Sequence, residues 1–308
     1  MLKRLLSPFT NSSGLARWLL IVGLTITALF VVFALFAPWL APYGFAESSV
    51  NGQKLPKLAA PGGDHLMGTN RMFFDVWSRT IWGARTALMV VILSLLFSIV
   101  IGVPLGLLSG FKGGWLDRVL VLIMDAMYAF PSLLLAIVFA FLLQNALGSG
   151  TVAAALSLTV IYIPQYFRVV RNTTVAAREA TYVEAARAIG AKDGTIMRRY
   201  LFGNVVQSVP VIGTLNAADA IGTLAALGFI GLGIQPTEAS EWGYDLSRAL
   251  DDTSAGIWWT AFFPGMAIVL LVTGLTLIGE GLNETINPAL RKRRISKVEM
   301  PAWEETTK

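Results

Sequence analysis

Long uncharged stretches alternate with short charged ones along this chain. No charged residue lies between Arg17 and Glu47, between Arg85 and Lys112, or between Asp252 and Glu280. Between Arg118 and Arg168 the only charge is Asp125, and between Arg199 and Glu238 it is Asp219. About 20 apolar residues suffice for a helix to cross the hydrocarbon core of a bilayer. The pattern therefore predicts spans at Leu19–Leu40, near Thr86–Gly110, near Leu120–Leu143, near Thr151–Phe167, near Val205–Ile234 and near Trp258–Ile278. The stretch QNALGSG, Gln144 to Gly150, separates the third from the fourth. The length and glycines of the fifth suggest a bent or broken helix. Pro131, Pro164 and Pro210 are expected to kink their helices.

Composition supports this reading. Of the 308 residues 55% are hydrophobic and 14% charged, where soluble domains carry about 25% charged. The first apolar stretch is longer than the roughly 7–15 residues of a secretory signal, so it is read as a span. The net charge of +5 would suit a nucleic-acid partner, but the basic residues fall in loops beside the apolar stretches, where they set orientation. Lys3, Arg4 and Arg17, then Lys112 and Arg118, then the cluster from Arg168 to Arg199, then Arg291, Lys292, Arg293 and Arg294 all fall on one side of a six-span chain, which predicts cytoplasmic termini. The acidic loop Gln235–Gly256 falls on the other side. No cysteine and a single histidine, His65, leave no disulfide, thiolate metal site or histidine metal cluster to consider. His65 reads as an ordinary loop residue.

The expected fold class is thus an all-α polytopic membrane bundle of six helices. Residues 1–41 hold a tail and the first span, 42–85 an external loop, 86–290 a five-helix core with an internal loop at 172–204, and 291–308 a polar tail. In residues 42–85, Phe73, Trp77 and Ile81 repeat every four positions, with Arg71, Asp75 and Arg79 on the opposite face. That is the pattern of an interfacial helix; a solvated loop packed on the protein fits equally.

The internal loop carries the most specific signal. In ATYVEAARAI, residues Tyr182, Ala185, Ala186 and Ile189 follow helical spacing and make one apolar stripe, with Glu184 and Arg187 off it. Gly190 stands where a left-handed helix stop is expected, and Asp193 where a cap for a second short helix is expected. Small alanines make a shallow surface that another protein can approach closely. A plain cytoplasmic connector is the other reading.

The full string, Tyr182-Val-Glu-Ala-Ala-Arg-Ala-Ile-Gly-Ala-Lys-Asp193, resembles the EAA motif of permease subunits of ABC-type importers. APYGF after the first span, HLMGTN with DVWSRTIWGARTAL, DAMYAFPSLLLAI, GFIGLGIQPTEASEWG and FFPGMAIVLL are similar, in order, to the C-type permeases of dipeptide and oligopeptide (and nickel) importers. The resemblance covers about residues 17 to 294. It implies a type I importer permease fold in the bacterial cytoplasmic membrane, with Tyr182, Glu184, Ala185, Ala186, Arg187, Gly190, Ala191 and Asp193 in a coupling helix that docks on an ATPase subunit. It further implies as partners a homologous second permease, two ATPase subunits and an extracytoplasmic binding protein. ATP and Mg would bind the ATPases and no cofactor this chain, which has no G-x-x-x-x-G-K-[ST] loop. Phe202-Gly203-Asn204 stands where the family often has Leu-Pro-Asn, Phe73-Phe74 where it has Gly-Arg, and Leu224 where it has an acid. These departures bear on substrate and pore lining. Peptides are the expected cargo, with nickel or an oligosaccharide as alternatives.

Asp125, Asn216 and Asp219 are the polar candidates within spans. Such residues face a bundle interior or water, so each is either a pathway or gate residue or part of an interhelical pair. A self-contained secondary transporter would need more such groups and internal symmetry. An intramembrane enzyme would need a Ser–His, paired-Asp or metal constellation that the spans lack.

Overall fold

The computed structural model describes residues 14–286. The basic residues expected at positions 3, 4 and 291–294, and the polar tail, lie outside them. Helix α1 spans Leu15–Leu40 and α2 spans Val76–Lys112. Two 16-residue helices follow, α3 (Gly114–Ala129) and α4 (Ser132–Leu147), and then α5 (Gly150–Arg178). The internal loop holds α6 (Thr181–Ala188) and α7 (Asp193–Thr195). A π-helical turn (Ile196–Leu201), α8 (Phe202–Val205) and a 3-10 turn (Val206–Ser208) lead into α9 (Val209–Ile230). Last come α10 (Trp242–Ser254) and α11 (Trp259–Ile286). The antiparallel strands β1 (Ser49–Val50) and β2 (Gln53–Lys54) form a small hairpin in the first loop. Among the described residues five helical runs are long and apolar enough to cross a membrane, or six if the bent pair α3–α4 is one span.

That pair corrects the straight third span. The chain bends by 96° between α3 and α4. Phe130 is extended because Pro131 follows it, and proline disfavours the helical region for its predecessor. Pro164 is contained within α5. Pro210 does not kink a helix; it sits in the first turn of α9, where its missing N–H costs nothing. The fifth span is irregular as expected, through the π-helical and 3-10 turns before α9.

The core forms where α2, α5, α9 and α11 meet, with Leu158, Tyr162, Tyr166, Ile221, Leu224, Leu227 and Leu271 buried in it. α2 and α5 approach closely along Gly102, Gly106 and Gly110. A Cβ on these glycines would lie 2.9 Å from the Ile163 carbonyl oxygen, 2.6 Å from that of Phe167 and 2.7 Å from that of Arg171. Small residues every four positions let two backbones pack in this way within lipid.

α2 also links the two functional ends of the molecule. At 37 residues it is about 55 Å long at 1.5 Å per residue. It begins at Val76, so of the residues expected in an interfacial helix Asp75 is its cap, Trp77, Arg79 and Ile81 lie in its first turns, and Arg71 and Phe73 precede it. Phe73 lies in a turn with φ of 64°. Ile81 and Arg79 are buried, and Arg71, Asp75 and Arg79 point at protein partners. Asp75 caps α2 by accepting from the Ser78 N–H and hydroxyl, each at 2.8 Å. Its other oxygen lies 2.9 Å from His65 Nδ1. His65 is therefore buried in a hydrogen-bonded pair, not an ordinary loop residue.

The acidic loop contains a helix that the span pattern did not announce. α10 lies across the start of α2: Trp242 Nε1 donates to the Thr80 carbonyl at 3.0 Å and Ser240 Oγ to that of Arg79 at 2.7 Å. Glu241 caps α10, accepting from the Gly243 and Tyr244 N–H groups at 2.8 and 2.6 Å. Glu238 reaches the start of α5 and accepts from Ser149 Oγ, the Gly150 N–H and the Thr151 N–H at 2.7, 2.8 and 2.9 Å. Burial raises the Glu238 pKa, but these donors at a helix N-terminus outweigh it and hold the group below its ordinary value.

Candidate functional site

The far end of α2 carries the internal loop. α6 sits on Phe111 near the end of α2 through Val183 and Ala186, with Ile196 and Leu201 of the following turn closing the same small core. Val183 is fully buried and Ala186 is 3% exposed. The sequence stripe is thus divided. Ala186 faces the protein, while Tyr182, Ala185 and Ile189 face away, with Ile189 79% exposed. Val183, absent from that stripe, is the main anchor. Glu184 is exposed beside the outward apolar residues. Arg187 lies with its guanidinium 5.7 Å from the centre of the Phe111 ring.

The end of α6 is closed as the sequence suggests. Gly190 has φ of +82°. Its N–H donates to the Arg187 carbonyl at 2.9 Å, and the Ala191 N–H to that of Ala186 at 3.0 Å. These paired bonds form a Schellman stop, which needs the left-handed conformation at the glycine. Asp193 departs from expectation. It is the first residue of α7, whose cap position is Lys192, and no side-chain cap bond forms. Asn204 Nδ2 donates to the Tyr182 hydroxyl at 3.3 Å, linking α6 to α8. The assembled surface is a short rigid helix with an apolar, partly acidic outer face.

The two acids predicted within spans have different surroundings. Asp125, on α3, accepts from Arg168 Nη2 of α5 at 2.8 Å, and both side chains are about half exposed. Arg168 also stacks on the Tyr128 ring at 4.2 Å. Asp219 lies near the middle of α9, where its Oδ2 accepts from the Tyr162 hydroxyl of α5 at 2.8 Å. It borders an open groove of about 460 Å³ formed with Leu133 of α4 and Val272 and Thr276 of α11. Asn216, three positions earlier on the same side of α9, is buried. Asp125 is not brought into one site with the other two.

Comparisons with known proteins agree with one another. Residues 102–292 match the family described as binding-protein-dependent transport system inner membrane component. Residues 15–61 match the N-terminal TM domain of oligopeptide transport permease C. The dipeptide transport system permease protein DppC of Alkalihalophilus pseudofirmus is 35% identical over 89% of this chain and 86% of its own length. The glutathione transport system permease protein GsiD of Pectobacterium atrosepticum is 35% identical over 85% of this chain and 84% of its own length. Among solved structures, a chain of the MetNI methionine ABC transporter in an inward-facing conformation superposes with a TM-score of 0.54 at 24% identity, over 68% of this chain and 94% of that one. That likeness concerns the fold. The family match and the two relatives establish that this chain belongs to the inner-membrane components of binding-protein-dependent transport systems, as an ABC importer permease subunit.

Proposed function

We propose that the chain forms, with a homologous second permease, the membrane path of an ATP-driven importer of di- or oligopeptides, working by alternating access. The observation that carries the coupling part of this reading is α6: a helix seated by Val183 and Ala186 that turns Tyr182, Glu184, Ala185 and Ile189 away from its own bundle. Exposed apolar side chains beside a charge, on a rigid helix outside the spans, suit a groove on another protein. Peptide cargo is supported by the dipeptide and glutathione permeases among the relatives. In this mechanism an extracytoplasmic binding protein delivers cargo at the α10 end, two ATPase subunits grip α6 from the cytoplasm, and their closure on ATP moves the helices that α6 is packed against. The chain itself performs no chemistry; ATP and Mg are bound by the ATPases, in a bacterial inner membrane.

The test is substitution of Glu184 by lysine in the reconstituted complex. Charge reversal at a docking face costs affinity and registry. The Glu184→Lys chain is expected to insert normally while the ATPase pair co-purifies poorly or hydrolyses ATP without dipeptide uptake. Wild-type uptake would show that α6 is only a connector.

A further inference from the structure

The two acids at membrane depth differ in one respect: Asp125 has a cation in contact and Asp219 has none among the described residues. Asp219 is held from behind. The fully buried Tyr162 donates its hydroxyl to Oδ2, which fixes the carboxylate on the outer face of α9 and leaves Oδ1 without a hydrogen-bond partner among the described residues. On that face Ala218, Gly222 and Ala226 are small, while Leu215, Leu133 and Val272 add apolar bulk and Thr223 and Thr276 polar groups to the groove. α9 is 22 residues long, about 33 Å, enough to cross a hydrocarbon core, and Asp219 lies near its middle. A carboxylate there is costly against lipid and is tolerated facing water or a positive group. In a low-dielectric wall it attracts a cation more strongly than in water.

We infer that Asp219 forms the cation-recognising wall of the cargo path, where its free oxygen receives the ammonium group at the amino terminus of a passing peptide. This rests on the peptide-importer reading above. Tyr162 acts as a positioning residue, holding the carboxylate in one orientation. The small residues Ala218, Gly222 and Ala226 leave room beside Asp219 for a backbone-sized group to come within hydrogen-bond distance, and an ammonium satisfies the charge that no side chain among the described residues satisfies. Contact is transient by design, because a single charge-assisted bond in an open groove releases its ligand readily, as a transport path requires.

The test uses the absence of cysteine from this chain. Thr276→Cys places one thiol on the opposite wall of the groove. The full reconstituted complex is treated with methanethiosulfonates carrying either an ethylammonium or an ethylsulfonate group, and labelling of this chain is followed by mass. With Asp219 present, the cationic reagent is expected to react about tenfold faster than the anionic one. Asp219→Asn should abolish that preference, Asp219→Glu should keep it, and dipeptide delivered by the binding protein should slow the reaction. Equal rates with the two reagents overturn the proposal. So does a thiol that neither reagent reaches in the assembled complex, since the groove is then covered by the second permease or by lipid. Wild-type uptake of the same dipeptide is measured in parallel. Absence of uptake defeats the peptide-importer reading itself, whereas normal uptake with equal labelling rates defeats only the role of Asp219.

Discussion

Arg79 and Asp245, 166 positions apart in sequence, form an ion pair in which the Arg79 Nε–H is shared between the two carboxylate oxygens, at 2.8 and 2.9 Å. The same guanidinium donates through Nη1 to the Phe45 carbonyl at 2.7 Å and lies 5.0 Å from the centre of the Phe74 ring. One side chain thus joins α2, α10 and the first loop. Both partners are largely removed from water, with side-chain exposures of 3% and 11%. Removing one member of such a pair leaves an uncompensated charge and costs about 3–5 kcal/mol. Asp245→Ala is expected to lower the melting temperature of the detergent-solubilised chain strongly. The Arg79→Met, Asp245→Leu double variant should recover much of the loss, and a thermal-unfolding double-mutant cycle measures the coupling.

The cap of α10 makes stability depend on pH. Burial pushes the Glu241 carboxyl up to about 8, against the N–H donors of Gly243 and Tyr244 that favour its charged form, with Asp245 nearby adding to the rise. Burial likewise raises Asp245, opposed by Arg79. For Glu241 the folded chain retains a proton that the unfolded chain has released at any pH between the ordinary carboxylate range and about 8. Its contribution is therefore fully present at low pH and is lost as pH rises through that window, at up to about 1.4 kcal/mol per pH unit. Glu241→Gln should flatten the decline, as the difference between the two proteins' melting temperatures from pH 5 to 9.

Gly190 offers a test of backbone geometry alone. A Cβ there would meet nothing within 4 Å, so only its φ of +82° resists substitution. Gly190→Val should strain the Schellman stop by about 1–2 kcal/mol and weaken recovery of the ATPase pair in pull-downs. Gly190→Asn, whose side chain tolerates the left-handed region, should restore most of it.

At the α2–α5 contact the constraint is the reverse. Gly106 has ordinary helical φ, but a Cβ would lie 2.6 Å from the Phe167 carbonyl oxygen, which belongs to helix backbone and has nowhere to move. Gly106→Ala is expected to cost about 1–3 kcal/mol through overpacking. Gly203→Ala, with nothing within 4 Å, should be close to neutral. Thermal unfolding of the two variants side by side measures the difference.

The loop charges predict orientation. Reporter fusions at residues 146 and 245 should report the outside and one at residue 192 the inside, because basic loop residues such as those from Arg168 to Arg199 favour the cytoplasmic side. An external signal at 192 would overturn the six-span arrangement.

Hydrophobic run length is a local property, and much of the fold follows from it. The uncharged stretches locate the starts of α1, α5, α9 and α11 within a few residues, because lipid imposes the same requirement on each helix separately, but α5 and α11 run on to Arg178 and Ile286, past the expected ends at Phe167 and Ile278. Gly190 was legible for the same reason, since a helix stop is set by the residue at the stop. The EAA string around Glu184 marked the internal loop that carries α6. Other features depended on neighbours distant in sequence. Helical spacing grouped Tyr182, Ala185, Ala186 and Ile189 on one stripe, but only the position of Phe111 decides that Ala186 and Val183 are covered while Ile189 is bare. Arg79 looked like the polar face of an interfacial helix until Asp245 was brought against it. Asp125 and Asp219 are alike in sequence, each a lone acid in an apolar stretch, and they differ because α5 turns Arg168 toward one and the Tyr162 hydroxyl toward the other. Whether a polar group in a membrane is paired or open is a matter of distance in space, which the order of residues along the chain does not contain.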